Sequence, residues 1–468
     1  MLRNLGVSTT GFLFTGTRTR SHCGTTHGPE RRRAYPPITA KAVVGIDLGT
    51  SNSAVAAIRD GHAHIIEGID GAVTPSCVAV LQDKVLVGEA ARRQAILNPL
   101  NTFVSVKRLV GRRYNQVQDE LHHASFEGRP SADGGVELWC HSRQASISPE
   151  QISAYILQQL VRQAEEALGE EVDGAVIAVP AHFDDRQRQA TIEAGKLAGL
   201  TRLQVLQEPV AASIAYGLGK GTEDSLILVF DLGGGTFDVS LVECFEGCLE
   251  VLATGGDARL GGNDWDSKLM QWVLHQVPGA EDRCKDPAAL HRLLEAVEAA
   301  KRRLSSAAST SIDLPFWDGQ HSLTVDLTRQ QFEEATADLR ARLWPPLERM
   351  GRQAFVQLAH RSVSQGENAT EGSGNPPEST AADRFKPQAR HITQVVMVGG
   401  ATAMPLVQDF VREATGIQPQ VTVDPALCVA LGAAMYGGAL EGTLSGGFEL
   451  ADGAYSWDLH DRVSGLLN

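Results

Sequence analysis

An α/β protein of two similar lobes is what this sequence predicts, on three observations. The chain writes nearly the same segment twice. Val43-Val44-Gly45-Ile46-Asp47-Leu48-Gly49-Thr50 recurs as Leu228-Val229-Phe230-Asp231-Leu232-Gly233-Gly234-Gly235-Thr236. Strand-like and helix-like stretches alternate through both halves, the pattern of an α/β sheet. The length of 468 residues is enough for two or three ordinary domains.

Each copy of the repeat is an apolar run of strand length that ends in Asp-Leu-Gly and then reaches Thr. The run fits a buried strand. The glycines let backbone N–H groups approach an anion closely. The Asp at the strand end can hold Mg²⁺ or its waters, and the Thr hydroxyl can reach a phosphate oxygen. A single copy is a weak signal, because glycine after a buried strand is often only a turn. A turn gives no reason for Asp and Thr to repeat in register. No G-x-x-x-x-G-K-[ST] P-loop is present, and neither copy is a dinucleotide fingerprint. Gly217-Leu218-Gly219-Lys220-Gly221 reads as a helix terminator.

Composition is 43% hydrophobic and 21% charged, that of a soluble globular chain, and no apolar run reaches membrane-spanning length. A formal net charge of −14 argues against general nucleic-acid binding. The seven cysteines are scattered and odd in number, fitting neither a disulfide framework nor a zinc site. Cys244 and Cys248 flank a predicted hairpin turn, Phe245-Glu246-Gly247, and read as free thiols. Residues 1–41 differ from the rest. They carry Arg3, Arg18, Arg20, Arg31, Arg32, Arg33 and Lys41 against the single acid Glu30, with abundant Ser and Thr. This is transit-peptide composition, and a disordered basic tail is the alternative.

The elements follow in order. Strands are expected at 63–66 and 77–87, around Thr74-Pro75-Ser76, before the basic segment Lys107–Arg113. Ser148-Pro149-Glu150-Gln151 combines an N-cap, a first-turn proline and a polar residue three on, so a helix starts there and runs to about Gly169. A buried strand follows over Gly174–Val179, ended by Pro180, then a helix over Arg186–Leu197 stopped by Gly199. Val205–Pro209 reads as a strand ending in the acid Glu208, and 210–218 as a helix. Strands at 226–231, 237–244 and 248–253 form a meander. Gly261-Gly262-Asn263-Asp264 opens a helix. The stretch 287–306 is strongly helical and sets Glu298, Lys301, Arg302 and Ser305 on one face; spacing alone favours ordinary surface pairing for that set. A further helix is expected over 329–360. Residues 364–385 have the composition of a disordered insertion. A last βα unit runs from Val395 through Gly399-Gly400 to a helix starting at Pro405.

These pieces resemble the seventy-kilodalton heat-shock chaperones of the DnaK type. The matching strings are GIDLGTSNSAVA at 45–56, NPLNTFVSVKRLVGRRY at 98–114, VIAVPAHFDDRQRQAT at 176–191, LQEPVAASIAYGL at 206–218, FDLGGGTFDVSL at 230–241 and VMVGGATAMP at 396–405. They cover the family's ATPase domain in order from about 42 to 440. The string Asn101–Arg108 looks most like the chloroplast and cyanobacterial branch. Actin and sugar kinases share the implied fold, duplicated ribonuclease-H-like lobes with a nucleotide cleft between them, but lack these strings.

The resemblance implies roles position by position. Asp47 and Asp231 would serve an Mg²⁺ site through water. Gly49, Thr50, Ser51, Asn52, Gly233, Gly234, Gly235 and Thr236 would cradle phosphates, Thr236 close to the chemistry. Lys107 matches the catalytic lysine, and Glu208 and Asp238 would orient the attacking water and metal waters. Gly262, Glu298, Lys301, Arg302 and Ser305 match nucleoside contacts, with Gly399 and Gly400 beneath the adenosine. Pro180 and Arg188 match a relay to the substrate domain. The implied reaction is hydrolysis of ATP to ADP and phosphate at low turnover, a chemistry that rests on positioning and electrostatics.

The implied layout is lobe I at 42–221, with an upper subdomain at 77–148, and lobe II at 222–421, with an upper subdomain at 262–337. A return to lobe I at 422–442 and a tail at 443–468 complete it. The implied partners are nucleotide-exchange factors and J-domain proteins, with no nucleic acid and no membrane, for a monomer in the chloroplast or, alternatively, the mitochondrion.

The departures from the family also shape the expectation. Ala401-Thr402-Ala403 stands where Ser-Thr-Arg is usual, and Asp424-Pro425-Ala426-Leu427 where Asn-Pro-Asp-Glu is usual. Ala72-Val73-Thr74-Pro75-Ser76 replaces Arg-Thr-Thr-Pro-Ser, and Asn263 replaces a Glu beside Gly262. Nucleotide binding weaker than in intact relatives is expected. After Gly442 the family continues into a hydrophobic linker and a β-sandwich, whereas here a short tail follows, so an ATPase domain without a substrate domain is expected. An inert nucleotide-gated docking module is the second reading, and a sugar kinase the third.

Overall fold

The computed structural model describes residues 41–218, 224–245, 248–277, 279, 287–359 and 390–444. The basic segment before Lys41, the turn at 246–247, the insertion at 364–385 and the tail beyond 444 lie outside them.

The two copies of the repeat become the central strands of two sheets. In the first lobe, β1 (Ala42–Asp47) and β2 (Asn52–Arg59) form an antiparallel pair, and β3 (His62–Ile65) extends it. Helix α1 (Pro149–Leu168) leads to β4 (Val172–Val179), and α2 (Asp185–Leu197) to β5 (Arg202–Gln207). The order across the sheet is β5-β4-β1-β2-β3, with β5, β4 and β1 parallel. Parallel strands covered on both faces explain why β4 reads as one continuous apolar run.

After α3 (Glu208–Ala215) the plan repeats with β6 (Ser225–Leu232), β7 (Phe237–Phe245) and β8 (Cys248–Asp257). Helices α4 (Gly262–Gln276) and α5 (Pro287–Leu304) follow, then β9 (Gln394–Val398), α6 (Pro405–Thr415) and α7 (Cys428–Glu441). This sheet has the order β8-β7-β6-β9, with β9 parallel to β6 and the rest antiparallel. Thus β6 stands to β7 and β9 as β1 stands to β2 and β4. The fold is the duplicated two-lobed α/β architecture that the repeat implied.

Smaller sheets sit above each lobe. Cys77–Val80 pairs with Val85–Val87 and Thr102–Val104, and Val136–Cys140 pairs with Glu127–Pro130 and Ala145–Ile147. In the second lobe Ser309–Leu314 and Leu323–Thr328 form a hairpin against α5.

The two sheets meet across α3 and α7. One buried cluster takes Ala178 from β4, Ala211 and Ala212 from α3, Ile227 and Val229 from β6, Val396 and Val398 from β9, and Cys428 and Val429 from α7. The approach is close enough to require glycine. A Cβ at Gly432 of α7 would lie 1.8 Å from the Ala211 carbonyl oxygen, and one at Gly45 of β1 would lie 2.0 Å from the Ala434 nitrogen. Helix α7 also contacts β1, β2 and β4, so residues 428–441 pack back onto the first lobe.

Local signals explain most boundaries. The Ser148 hydroxyl accepts from the Gln151 N–H, and Gly169 closes α1 at φ 74°. Two expectations are corrected. Glu208 is not the end of a strand; β5 stops at Gln207, and Glu208 and Pro209 form the first turn of α3, where proline is well placed. The single helix over 329–360 is three: Arg329–Ala335, Ala337–Ala341 and Trp344–Gln353. Pro345 and Pro346 lack the N–H that a helix interior needs, so they fall in the first turn of the third piece.

Candidate functional site

Strands β1 and β6 deliver Asp47 and Asp231 from opposite lobes to one cleft of about 1320 Å³. The loops after them nearly touch. A Cβ at Gly234 would lie 2.6 Å from the Ser51 Oγ, so only glycine allows the loops to face each other at this spacing. The first loop is braced by Ser76, whose hydroxyl donates to the Gly49 carbonyl at 2.7 Å and whose N–H donates to the Ser51 carbonyl at 2.8 Å. The second is braced by the start of α4, where the Gly262 and Asn263 N–H groups donate to the Gly233 and Gly234 carbonyls at 2.9 and 2.8 Å. Both carbonyl sets are thereby occupied, and the remaining backbone donors suit an anion.

Lys107 enters from the upper part of the first lobe on the short helix Val106–Arg108. The residue before it, Ser105, holds a left-handed backbone at φ 55°, uncommon for a residue with a side chain. That conformation aims the next turn into the cleft. The Lys107 Nζ lies 2.5 Å from the Glu208 Oε1, both side chains nearly buried at 12% and 11% exposure. Burial pulls the Lys107 ammonium down, but Glu208 and Asp47 outweigh it and hold the group above its ordinary value.

Acids outnumber cations here. Asp231 stands opposite Asp238 in the β6–β7 register. Burial, helped by Glu208 and opposed by Lys107, pushes Asp47 up to about 7. Burial, with Glu208, Asp238 and Asp47 adding to it, pushes Asp231 well above the carboxylate range. His182 Nδ1 lies 3.4 Å from Asp238 Oδ1, and that carboxylate raises the imidazole above its usual value.

Oxygen donors in excess suit a hard divalent cation. Among the described residues no group of three or more His, Cys, Asp or Glu is placed to grip a metal directly. A cation there would take its remaining ligands from water and phosphate oxygens, with Asp47 and Asp231 as its protein carboxylates. The donor set therefore fits Mg²⁺ brought with a polyphosphate.

The other end of the cleft is built from α5 and the turn after β9. Glu298, Lys301, Arg302 and Ser305 all border it, Ser305 just past the end of the helix. The face first read as surface pairing is thus turned to the cleft. Lys301 is buried, donating to Asp266 Oδ2 at 2.7 Å and to the Gly262 carbonyl at 2.9 Å. Opposite, Gly399 adopts φ 82° and bonds the Pro425 carbonyl at 2.8 Å, and a Cβ there would lie 2.3 Å from the Leu232 carbonyl oxygen. A Cβ at Gly400 would meet only the Ala426 Cβ, at 3.9 Å. Gly399, Gly400, Ala403 and Ala426 leave a wall of small residues on that side.

Of the residues singled out from sequence, Asp47, Gly49, Thr50, Ser51, Asn52, Lys107, Glu208, Asp231, Gly233, Gly234, Thr236, Asp238 and Gly262 line this cleft together with the α5 and Gly399-Gly400 set. Gly235 does not; its carbonyl accepts from the Arg108 Nη2 at 2.5 Å. Pro180 borders the cleft, while the Arg188 Nε donates to the Phe183 carbonyl behind it. Sequence reading missed Arg108, His182 and Asp266. Arg108 lay beside Lys107 in the basic run, and Asp266 lies one helical turn after Gly262, but nothing in the sequence distinguishes His182 from any other histidine.

A family model described as Hsp70 protein matches residues 43–363 and 376–454. The chain belongs to the Hsp70 family. Its fold is that family's two-lobed, actin-like α/β fold. It is 43% identical over 408 residues to the "Chaperone protein dnaK" of Cyanidioschyzon merolae, covering 86% of this chain and 62% of that one. It is 42% identical over 445 residues to "Heat shock 70 kDa protein 7, chloroplastic" of Arabidopsis thaliana, covering 93% and 57%. With the "Stromal 70 kDa heat shock-related protein, chloroplastic" of Pisum sativum the identity is 41% over 454 residues, covering 92% and 59%. Similarity to these proteins agrees with the chloroplast and cyanobacterial branch read from residues 101–108. The chain spans about three-fifths of the length of these relatives.

The Lys301–Asp266 pair generates a prediction for this Hsp70-family cleft. Asp266 Oδ1 is already buried without a partner, so removing the carboxylate strands the ammonium. Asp266→Ala should lower the unfolding free energy, read from the shift in denaturant midpoint, by an amount near the low end of the ~3–5 kcal/mol cost of breaking a buried pair, because Lys301 borders the open cleft. Asp266→Ala with Lys301→Met should recover most of the loss. Equal midpoints for the single variant and wild type would show that the pair contributes nothing.

Proposed function

We propose that this chain binds Mg²⁺-ATP in the cleft and hydrolyses it to ADP and phosphate at low turnover, acting as a chaperone-family ATPase through partner proteins. The observation that carries this is the convergence of two glycine loops, one from each lobe, on a site where Lys107 and Glu208 meet Asp47 and Asp231. Family membership supports it. The roles proposed for individual residues rest on the family resemblance, and their meeting in one cleft supports them. Thr50, Ser51, Asn52 and Thr236, with the backbone of Gly49, Gly233 and Gly234, face the phosphates. Lys107 stabilises charge at the terminal phosphate. Glu208 and Asp238 orient water, and the α5 face with Gly262, Gly399 and Gly400 receives the nucleoside. When bound at Asp47 and Asp231, Mg²⁺ supplies neutralisation of phosphate charge. Lobe closure over the ligand changes the surface offered to nucleotide-exchange factors and J-domain proteins, the partner classes proposed for it.

The names of the plant relatives place those proteins in the chloroplast. With the basic, Ser/Thr-rich start of this chain, they support plastid delivery, with the mitochondrion as the alternative. No helix among the described residues is long and apolar enough to cross a membrane.

Lys107→Ala should retain ATP binding and lose hydrolysis by ~10²-fold or more, the usual cost of one charge-stabilising donor. Single-turnover assays on purified protein check this, and equal rates in variant and wild type refute the role given to Lys107. An inert docking module would show no hydrolysis in either.

The small-residue wall predicts weak purchase on the base. Ala403→Arg restores a cation that can stack on adenine, worth roughly 0.5–2 kcal/mol, and should tighten ADP binding by about 2- to 30-fold in calorimetry. No change would mean the base is held elsewhere.

A fluorescent fusion of the full chain should enter plastids, and the mature protein should begin near residue 41. Cytosolic fluorescence, or a mature protein that retains Met1, contradicts the targeting proposal.

A further inference from the structure

The cleft carries one imidazole that the roles above leave unused. His182 lies in the loop between β4 and α2, two residues beyond Pro180, and borders the cleft. It also borders a separate cavity of about 10 Å³ lined by Pro180, Glu208, Asp231 and Asp238, a volume close to that of one water. Its Nδ1 lies 3.4 Å from Asp238 Oδ1. Its ring stands edge-on to Phe183, with centroids 5.8 Å apart at 81°. The side chain is 54% exposed, so a ligand in the cleft can reach it. A carboxylate that engages Nδ1–H fixes the tautomer in which Nε2 carries a lone pair, and Nε2 is then the nitrogen available to water. The small cavity is bordered by the imidazole together with three carboxylates, Glu208, Asp231 and Asp238.

We propose that His182 is a catalytic residue of the hydrolysis put forward above, orienting the attacking water through Nε2 and accepting its proton. This inference rests on the ATPase reading. In the step, the water oxygen bonds to the terminal phosphorus. The bond from that phosphorus to the bridging oxygen breaks, and its electron pair leaves on ADP. The proton lost by the water passes to Nε2 and then to solvent. The groups that face the imidazole are Asp238 from β7, Glu208 from the first turn of α3, Asp231 from the end of β6, and Lys107 from the short helix of the first lobe. Asp238 and Glu208 favour the imidazolium formed in the step, and Lys107 opposes it. Asp238 therefore acts as the positioning residue and His182 as the proton acceptor, a division seen wherever a carboxylate orients a catalytic histidine.

The test uses the full chain with ATP and Mg²⁺, and three variants: His182→Gln, His182→Asn and His182→Phe. Equilibrium binding of ATP should stay within about twofold of wild type, while the single-turnover rate falls by roughly 10²-fold, the lower range for loss of a general base. Glutamine and asparagine keep hydrogen-bonding capacity but cannot accept the proton, and phenylalanine keeps the packing on Phe183, so all three should lose rate alike. The half-exposed position predicts unchanged thermal midpoints. A second readout needs no turnover: ¹⁵N NMR of the nucleotide-free wild type, at a pH high enough to leave the imidazole neutral, should show His182 protonated at Nδ1 and not at Nε2. Variants that hydrolyse ATP as fast as wild type overturn the inference and leave the ATPase reading standing, as does an Nε2-protonated tautomer. A wild type that binds Mg²⁺-ATP without hydrolysing it overturns both.

Discussion

The architecture turns on an unbalanced set of charges held where two strands end. Asp47 and Asp231 come from different lobes, yet Asp231 senses Asp47, and burial lifts both above the ordinary carboxylate range. Lys107 is the counter-charge that reaches this centre, and it is bound to Glu208 at 2.5 Å. Left to itself, such a cluster is costly, because charges taken out of water are compensated only by close partners. A divalent cation at Asp47 and Asp231, as proposed above, would offset the imbalance.

Bringing the two carboxylates together imposes the fold's tightest packing. Strands β1 and β6 can point at one place only if α3 and α7 nest between the sheets with backbone touching backbone. Gly432 against Ala211 and Gly45 against Ala434 make that contact, with no room for a methyl group at either glycine. Both helices are rich in alanine, and the cluster between the sheets is made largely of Ala and Val. Small side chains give up dispersion contacts that larger ones would make. In return the backbones come close, and a rotation of one lobe on the other is passed directly to the strand ends.

What was legible in the sequence follows the same physics. Buried strands such as Val172–Val179 and Ser225–Leu232 announced themselves as apolar runs, and the Asp and Thr that end each repeat were visible because chemistry, not packing, fixes their identity. The caps at Ser148 and Gly169 gave α1 almost to the residue. Glu208 was misplaced because an extended run and a proline both point to a strand end, whereas Pro209 is equally at home in a first helical turn. The stretch at 329–360 kept a helical composition across its breaks, which are set by buried Thr336 and by the paired prolines. Spacing alone left Glu298, Lys301, Arg302 and Ser305 on a surface, since periodicity reports a helix face but not what it faces. His182 was not legible because its partner, Asp238, is distant in sequence, and Asp266, though one helical turn after Gly262, pairs with the equally distant Lys301.

The two ends of the cleft differ in how firmly they grip. At the phosphate end, nearly every group is fixed twice. The loops are braced by Ser76 and by the start of α4, and Lys107 is aimed by the left-handed backbone of Ser105. At the base end, Lys301 is spent on Asp266 and the Gly262 carbonyl, and Gly399, Gly400, Ala403 and Ala426 stand on the opposite wall with Met404, Asp424 and Pro425. Preorganised donors stabilise a developing charge without reorganising, so rigidity at the first end favours the chemical step. A smooth wall at the second offers area but few directed contacts, so it adds little to discrimination between bases or to residence time. For the nucleotide proposed above, such a cleft would take its purchase chiefly from the phosphates.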